Sequence, residues 1–517
     1  MSTQPQYGNP IASGPTKVFG WLPFRVLVVA VVSVVFALFL TLLKLFLLAL
    51  LLLLVVFSSL LIGFVPFGDS DRTIVQRILM RRQHRKRAAR GETTFFNAHI
   101  SALSKEDQLT LPGFLHTIEP KEALDGQGNS VELLHHKAVK MATVTLGCSP
   151  VGGSSLPEDR LIRQVGQYGN WLSRLSRENG LVGAMVVVDS LHTSAEPMAN
   201  EITQAIDPSA PEVSQQILHQ TVGMLPAKTT RVTTYVTLGW KLSALDTEVE
   251  GAFAEILAKL PHHITALTQA GSGQTYPLNH AEYGDLMYTA YNPARVAEID
   301  QELYGKVPAI RSFNSSGPTY MNGNHKRVVL HDGVASMTIL MSVPDQSKIT
   351  PYTYQALFAP SQSFLRKRVA MFYRPIPAFK QRSRMDQTSR AASTEAGSKQ
   401  RNTFFDTKKK AATKNAEAQM ANGATIQEYC VMVTVTFEPN RKAQRAAENE
   451  LKTLMGGMRW SYADFVSEAA FHQTLPIGIF PWVYSSASNY LLPTMFDTDA
   501  GRPTQESSED AHVEHEN

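Results

Sequence analysis

The feature that most constrains this chain is the apolar run from Val26 to Val65, which carries one charge, at Lys44. It holds about forty residues, whereas one helical crossing of a bilayer needs about twenty. A secretory signal peptide has a shorter apolar region, about 7 to 15 residues, and a small-residue cleavage site, so the run fits neither condition. We therefore expect a transmembrane hairpin over 24–65 with Lys44 at its tip. A single tilted helix stays open, because 41–45 holds no Gly, Pro or Asn to reverse the chain.

Positive charge follows the run and sets the expected orientation. The residues predicted to fix topology at the membrane surface are Lys44, Arg81, Arg82, Arg85, Lys86, Arg87 and Arg90. Basic residues close to a membrane span are retained on the cytoplasmic side. We therefore predict a multi-pass protein of the inner (cell) membrane, with the segment 1–23 and the large C-terminal part in the cytoplasm. A specific contact of the arginines with anionic lipid or with a partner stays open.

The rest of the chain reads as a folded mixture of strands and helices. Two cysteines in 517 residues exclude a disulfide-stapled scaffold and cysteine-rich zinc modules. Apolar and β-branched runs predict strands, listed here: Met141 to Cys148, Leu181 to Val188, Arg231 to Trp240, Ser336 to Val343, Arg368 to Tyr373 and Tyr429 to Phe437. Helical spacing predicts helices between them: one begins at a capping box at Ser155 and ends at Asn179-Gly180, and others lie near 211–225, 247–260, 280–291, 352–358 and 441–454.

The order of these elements repeats once, which indicates a duplicated unit. The predicted fold class is a membrane-anchored α+β protein, in which the transmembrane hairpin precedes a duplicated mixed strand/helix cytoplasmic domain. The predicted divisions, after the segment 1–23 and the hairpin at 24–65, are a basic juxtamembrane segment at 66–94, a first α+β unit at 95–310, a second unit at 311–482 with a basic connection at 377–426, and an acidic tail at 483–517. The tail cannot bury a core, so we expect it to be disordered.

The connection from Pro377 to Ile426 holds ten basic residues against four acidic ones. A stretch of this composition can be a solvated helix, a mobile loop, or a docking site for an acidic partner or nucleic acid. Few aromatic residues lie there to stack on bases, which argues against single-strand binding. The residues singled out for partner docking are Lys380, Arg382, Arg384, Lys408, Lys409 and Lys410.

No catalytic motif is recognisable, so we expect no enzyme activity and no cofactor or metal. The chain has no phosphate-cradle motif, no H-E-x-x-H and no G-x-S-x-G. The pairs His135-His136 and His262-His263 are adjacent in sequence and cannot easily share a metal if they lie on strands. Cys148 and Cys430 are expected to be small buried thiols.

Short motifs along residues 15–482 resemble a family of integral membrane proteins encoded in actinobacterial conjugative-element and type IV secretion-like clusters. Besides the apolar run and the arginines, the motifs are Leu111-Pro112-Gly113, Asp125 to Gly128, Leu133 to His136, Gly180 to Ser190, Phe372 to Pro375 and Leu475 to Ile479. The resemblance implies a non-catalytic inner-membrane scaffold or docking component that positions a cytoplasmic transfer ATPase.

The partners implied are membrane lipids, that ATPase and other subunits of the apparatus, with self-association plausible and nucleic acid left open. Two other interpretations remain. The chain is similar, more distantly, to a type VII secretion membrane subunit with two N-terminal spans. A membrane-bound enzyme is the third, because catalytic groups need not be adjacent in sequence.

Overall fold

The computed structural model describes residues 17–18, 22–64, 74–97, 110–126, 128–150, 152, 156–225, 228–305, 309, 311–343, 354–397, 404–421, 423–455 and 459–484. The predicted acidic tail therefore lies outside the described residues beyond Tyr484.

The described strands are β1 Lys17–Val18, β2 Leu22–Pro23, β3 Thr94–Phe96, β4 Ile118–Leu124, β5 Ser130–His136, β6 Met141–Ser149, β7 Leu181–Ser194, β8 Lys228–Lys241, β9 Gln274–Pro277, β10 Tyr320–Asn322, β11 Val328–His331, β12 Val334–Val343, β13 Arg366–Pro375, β14 Gln427–Phe437 and β15 Arg459–Tyr462. The described α-helices are α1 Phe24–Leu42, α2 Phe46–Phe64, α3 Ile74–Ala89, α4 Glu158–Leu175, α5 Glu196–Gln204, α6 Glu212–Met224, α7 Val249–Leu267, α8 His280–Tyr291, α9 Val296–Gly305, α10 Gln355–Phe358, α11 Ala378–Gly397, α12 Phe404–Ala421, α13 Arg441–Leu454 and α14 Ser467–Gln473.

The apolar run folds as two helices, α1 and α2, which reverse direction at Lys44. Lys44 takes the left-handed backbone conformation with φ of 59°, and its amide donates to the Thr41 carbonyl at 3.0 Å. The amide of Leu45 donates to the Leu40 carbonyl, which closes the turn in the way helix C-termini commonly end. A lysine therefore makes the reversal for which the sequence offers no Gly, Pro or Asn.

The transmembrane prediction for 24–65 is wrong. Within the part of the chain that the structure describes, no helix combines the length and the apolarity that a bilayer crossing requires. The predicted reversal at Lys44 is present, but the two helices on either side of it, of 19 residues each, do not meet that requirement. The predicted membrane anchor and the predicted multi-pass location in the inner membrane are corrected with it.

The fold class is corrected as well, because the described strands build one large antiparallel sheet. Among the described residues, thirteen strands belong to it, and its main path runs β3-β10-β11-β12-β14-β13-β7-β8-β6-β5-β4. Strand β9 pairs with β6, and β15 pairs with β12. The predicted strands of both halves fall inside this sheet, so the two halves share one framework.

The two halves of the sheet have the same strand order in opposite directions. From the centre outward, one half runs β7-β8-β6-β5 and the other runs β13-β14-β12-β11. The halves meet where β7 pairs with β13, with Leu191 opposite Arg366 and Ala184 opposite Tyr373. Because this pairing is antiparallel, the halves are related by an approximate twofold rotation. The predicted sequence divisions at 95–310 and 311–482 stay predictions.

One face of the sheet carries an apolar core under α4, α7 and α13. In the first half, Trp171 and Ile256 pack on Val144 and Leu238, and all four are buried. In the second half, a separate cluster joins Leu451 of α13 to valines of β14. Helix α4 begins after Pro157 without a side-chain cap, and the capping box predicted at Ser155 falls on a residue outside the described range. Burial of these side chains is the main stabilising term on this face.

The other face is covered by α8, α14 and the segment 475–484. That segment crosses the centre of the sheet, where Phe480 and Trp482 lie on the glycines of β7 and β8. A Cβ atom added at Gly239 would lie 2.4 Å from Phe480 Cε2, and one at Gly183 would lie 2.5 Å from Trp482 Cζ2. These two glycines therefore let the covering segment approach the sheet closely.

Candidate docking surfaces

Each half carries a helical insertion at the same place in its strand order. Helices α5 and α6 lie between β7 and β8, and helices α11 and α12 lie between β13 and β14. We call residues 195–227 the acidic arm and residues 376–426 the basic arm. The acidic arm has four acidic residues and no Lys or Arg, whereas the basic arm has ten basic residues and four acidic ones. Equivalent positions of the fold thus carry opposite charge.

The acidic arm presents its carboxylates to solvent. Glu201, Asp207 and Glu212 are exposed, and the part of the chain that the structure describes contains no ion pair to any of them. Asp207 accepts hydrogen bonds from the Ser209 amide at 2.8 Å and from its hydroxyl at 2.7 Å, which lower the pKa of this carboxyl. Glu212 occupies the first turn of α6, where negative charge is favoured by the helix dipole. Asp207 is therefore ionised at neutral pH.

An exposed apolar stripe runs along α6 beside these charges. Val213, Ile217 and Met224 are exposed to 67%, 56% and 81%. Their spacing of four and seven residues places them on one side of a helix. A stripe of this kind, bordered by charges, is typical of an interaction surface.

The basic arm contains all of the predicted docking residues, but their environments differ. Lys380 and Arg382 are exposed on α11, and Lys380 lies over the Phe379 ring at 5.5 Å. Arg384 donates to Glu428 Oε1 at 2.6 Å, and Arg374 is 3.4 Å from the same carboxylate, so Arg384 holds the arm to β14. Lys408, Lys409 and Lys410 lie on α12, and their side chains are outside the description.

Further contacts fix the base of the basic arm. The Gln381 amide donates to the Ile376 carbonyl at 2.9 Å, and both Gln381 and Met385 are buried. Farther along the arm, Arg390 and Lys414 are exposed. Cations are thus available on both helices of an arm that is anchored through its first two turns.

The two arms leave opposite ends of the sheet. The acidic arm follows Ser194 at the end of β7, next to the start of β13. The basic arm follows Pro375 at the end of β13, next to the start of β7. A ten-residue strand spans roughly 34 Å, so the bases of the arms are separated by about that length.

The arginines that follow the apolar run lie on and just after helix α3, which packs against the second half of the sheet. His84 Nε2 lies 3.3 Å from the Asn324 carbonyl, and Met80 is buried beside it on the same helix face. Arg87 is 3.6 Å from Glu92 and 3.8 Å from Glu468. The exposed members of the predicted group are Lys44, Arg81, Arg82, Arg85, Lys86 and Arg90. With the transmembrane prediction overturned, their proposed role in membrane topology loses its premise.

A layer of buried polar groups lies under α14 at the centre of the sheet. Asp189 accepts from Arg366 Nε at 2.8 and 3.0 Å, and Arg366 Nη1 donates to the Thr289 carbonyl at 2.6 Å. Arg368 lies over the Phe471 ring at 4.6 Å. Burial, with the nearby Arg366, lowers the pKa of Arg368 to about 9. Asp189, Arg366 and Arg368 are all buried, so the layer is part of the interior.

His135 and His136 lie on strand β5, whereas His262 and His263 lie on helix α7 with their ring centroids 6.1 Å apart, so the strand premise is wrong for the second pair. His136 is fully buried, with its ring nitrogens 2.6 Å from Tyr484 Oη and 3.0 Å from Thr143 Oγ1, and burial lowers its pKa to about 3. His263 contacts Glu178 at 2.9 Å.

Cys148 and Cys430 are buried free thiols, as predicted, and burial raises both thiol pKa values, that of Cys148 to about 11. Among the residues that the structure describes, no group of three or more His, Cys, Asp or Glu side chains is placed to hold a metal ion.

Comparisons with known proteins add no family to this picture. No protein-family model matches the chain, and the comparison with curated proteins finds no significant match. They give no support for conjugation or secretion, and that part of the prediction is set aside. The resemblance stated above stays a prediction.

Sequence reasoning missed the negative charge of the acidic arm. Its helices were expected in part, near 211–225, but the charge of the surrounding segment was not considered. A running charge count would have found it, since 33 consecutive residues with four acids and no Lys or Arg stand out in a chain with 49 basic residues.

Proposed function

We propose that this chain is a non-catalytic scaffold whose basic arm docks an acidic surface of a protein partner. The observation that carries the proposal is the contrast between the two arms. Both arms are inserted at equivalent positions of the same sheet, so the fold itself does not require the charge of either arm. Exposed Lys380, Arg382 and Arg390 make the basic arm an electrostatic binding surface.

A protein partner is favoured over nucleic acid by the composition of the basic arm. Proteins that bind single strands stack bases on aromatic side chains. The exposed aromatic ring described on α11 is Phe379, and Lys380 already lies over it. The arm therefore offers charges that attract an acidic partner, but few aromatic rings on which bases could stack.

The proposal is tested with a fluorescent 20-residue polyglutamate peptide titrated with the full chain at low ionic strength. The variant K380E/R382E/R390E should bind at least tenfold more weakly, because three attractive charges become repulsive. The matched control is R81E/R82E/R85E on α3, which changes the same number of exposed arginine or lysine charges and should retain most of the affinity.

Two results would contradict the proposal. Equal losses in both variants would show that the peptide reports net charge. A strong preference for a 20-nucleotide oligo-dT over polyglutamate would assign the arm to nucleic acid instead.

A further inference from the structure

We propose that the basic arm of one copy of this chain binds the acidic arm of a second copy. This inference rests on the proposed function, since it uses the basic arm as a docking surface, and it names the partner as the chain itself. The arms are the two most strongly charged insertions of the described framework, and they have opposite sign.

Within the described residues, no ion pair joins the two arms of one molecule. They leave opposite ends of β7 and β13, with roughly 34 Å of strand between their bases. Both arms are fixed to the framework at their bases: the basic arm by Gln381 and Arg384, the acidic arm by its continuity with β7 and β8. A complementary contact between arms is therefore a contact between molecules.

The side chains of the acidic arm are complementary in charge to those on helices α11 and α12 of the basic arm. Its exposed carboxylates, Glu201, Asp207 and Glu212, are ready to pair with exposed Lys380, Arg382, Arg390 and Lys414. The apolar stripe of Val213, Ile217 and Met224 supplies area that a purely ionic contact lacks. On the basic side, Phe379 is 80% exposed beside Lys380 and offers an apolar side chain to that stripe.

Each copy carries one arm of each sign, so the contact is available twice per molecule. Two copies placed side by side in opposite directions can form both contacts at once, and a head-to-tail arrangement forms one with each neighbour. Association in either arrangement depends on the same charges and should weaken with salt, since the screening length falls from about 10 Å at 0.1 M to about 3 Å at 1 M.

A charge-exchange experiment tests the inference. Variant E201K/E212K leaves the acidic arm with two acidic and two basic residues, and variant K380E/R382E/R390E leaves the basic arm with seven of each, so each variant removes the net charge of one arm. Molar mass is measured by light scattering after size exclusion at low ionic strength. The wild-type chain should exceed the monomer mass, and each variant alone should shift to the monomer. An equimolar mixture of the two variants should regain the larger species, because one brings a basic arm and the other an acidic arm.

The control and the contrary outcomes separate this inference from the proposed function. Variant R81E/R82E/R85E on α3 should associate like the wild type, and unchanged melting temperatures exclude unfolding as a cause. A monomeric wild type, or a mixture that stays monomeric, would overturn the inference. The proposed function would survive either result if polyglutamate still binds through the basic arm, and it would fall separately if polyglutamate does not.

Discussion

The acidic and basic arms occupy the same place in two halves of one sheet, yet one has an excess of carboxylates and the other an excess of ammonium and guanidinium groups. The sheet that holds them is buried and stabilised by specific contacts. One is the Asp189–Arg366 pair where β7 pairs with β13, a junction that we call the seam. The arms are exposed and differ in length, charge and apolar character. The sheet therefore keeps one strand order in both halves, whereas the insertions at equivalent positions differ in charge and exposed apolar area.

The seam should be far more sensitive to substitution than the arms. Asp189→Ala leaves the buried guanidinium of Arg366 without its carboxylate, which typically costs about 3–5 kcal/mol of unfolding free energy. Urea unfolding followed by circular dichroism measures it. The matched control is Asp207→Ala in the acidic arm, an exposed carboxylate whose loss should change stability far less. Similar losses at the two positions would refute the division between framework and arms.

Acid should unfold the framework through its buried histidines. Burial lowers the pKa of His136, His331 and His472 to about 3. The unfolded chain takes up protons below about pH 6.5, which the folded chain does not bind until about pH 3. Stability is therefore complete above pH 6.5 and falls progressively as the pH drops from 6.5 to 3, with a loss of about 2 kcal/mol for each histidine at pH 5.

Urea unfolding at pH 7.5 and pH 5 measures this loss. His136→Gln should be less stable than the wild type at neutral pH and should show a smaller further loss at pH 5. His219→Gln in the acidic arm is the control, since His219 is exposed. A wild-type stability that does not change between the two pH values would contradict the buried neutral state.

Binding at the arms should depend on salt, whereas the framework should not. Raising the ionic strength from 0.05 M to 0.5 M should weaken polyglutamate binding by about tenfold or more, equivalent to about 1.4 kcal/mol. The melting temperature of the chain should change little over the same range, because the pair at the seam is buried. Fluorescence anisotropy and calorimetry give the two numbers. Binding that resists salt would point to the apolar stripe as the dominant contact.

The smallest expected effect lies at the turn between α1 and α2. Lys44 holds a left-handed conformation that costs a side chain about 1 kcal/mol relative to glycine. Lys44→Gly should therefore strengthen this turn by about 0.5–1 kcal/mol, seen as slower hydrogen exchange of the amides from Leu45 to Ala49. Lys44→Ala keeps the strain and should exchange like the wild type. Faster exchange in the glycine variant would mean that chain entropy outweighs the strain.

Local patterns in the sequence predicted most of the elements. The strand patterns at Met141, Arg368 and Tyr429 correspond to β6, β13 and β14, and the helix at 280–291 begins and ends as expected. Alternation and helical spacing are local properties, so each strand or helix could be recognised from its own stretch of sequence.

Features that depend on distant residues escaped sequence reasoning. The pairing of β7 with β13, which joins the halves into one sheet, brings together residues about 180 positions apart. The burial of Arg366 and Arg368 contradicts the usual exposure of arginine, and it follows from Asp189 and Phe471 lying nearby in the fold. The transmembrane prediction located the reversal at Lys44, but the two helices beside it do not meet the combined requirement of length and apolarity for a bilayer crossing.

The most direct test of arms as complementary docking surfaces is zero-length crosslinking of an equimolar mixture of ¹⁴N- and ¹⁵N-labelled chains. A carbodiimide joins a lysine only to a carboxylate in contact with it, and mixed-isotope peptides identify links between molecules. We predict mixed-isotope links from Lys380 or Lys414 to Glu201, Asp207 or Glu212, lost at high salt. Intermolecular links that join Lys86 of α3 to the acidic arm, with none from the basic arm, would contradict the account.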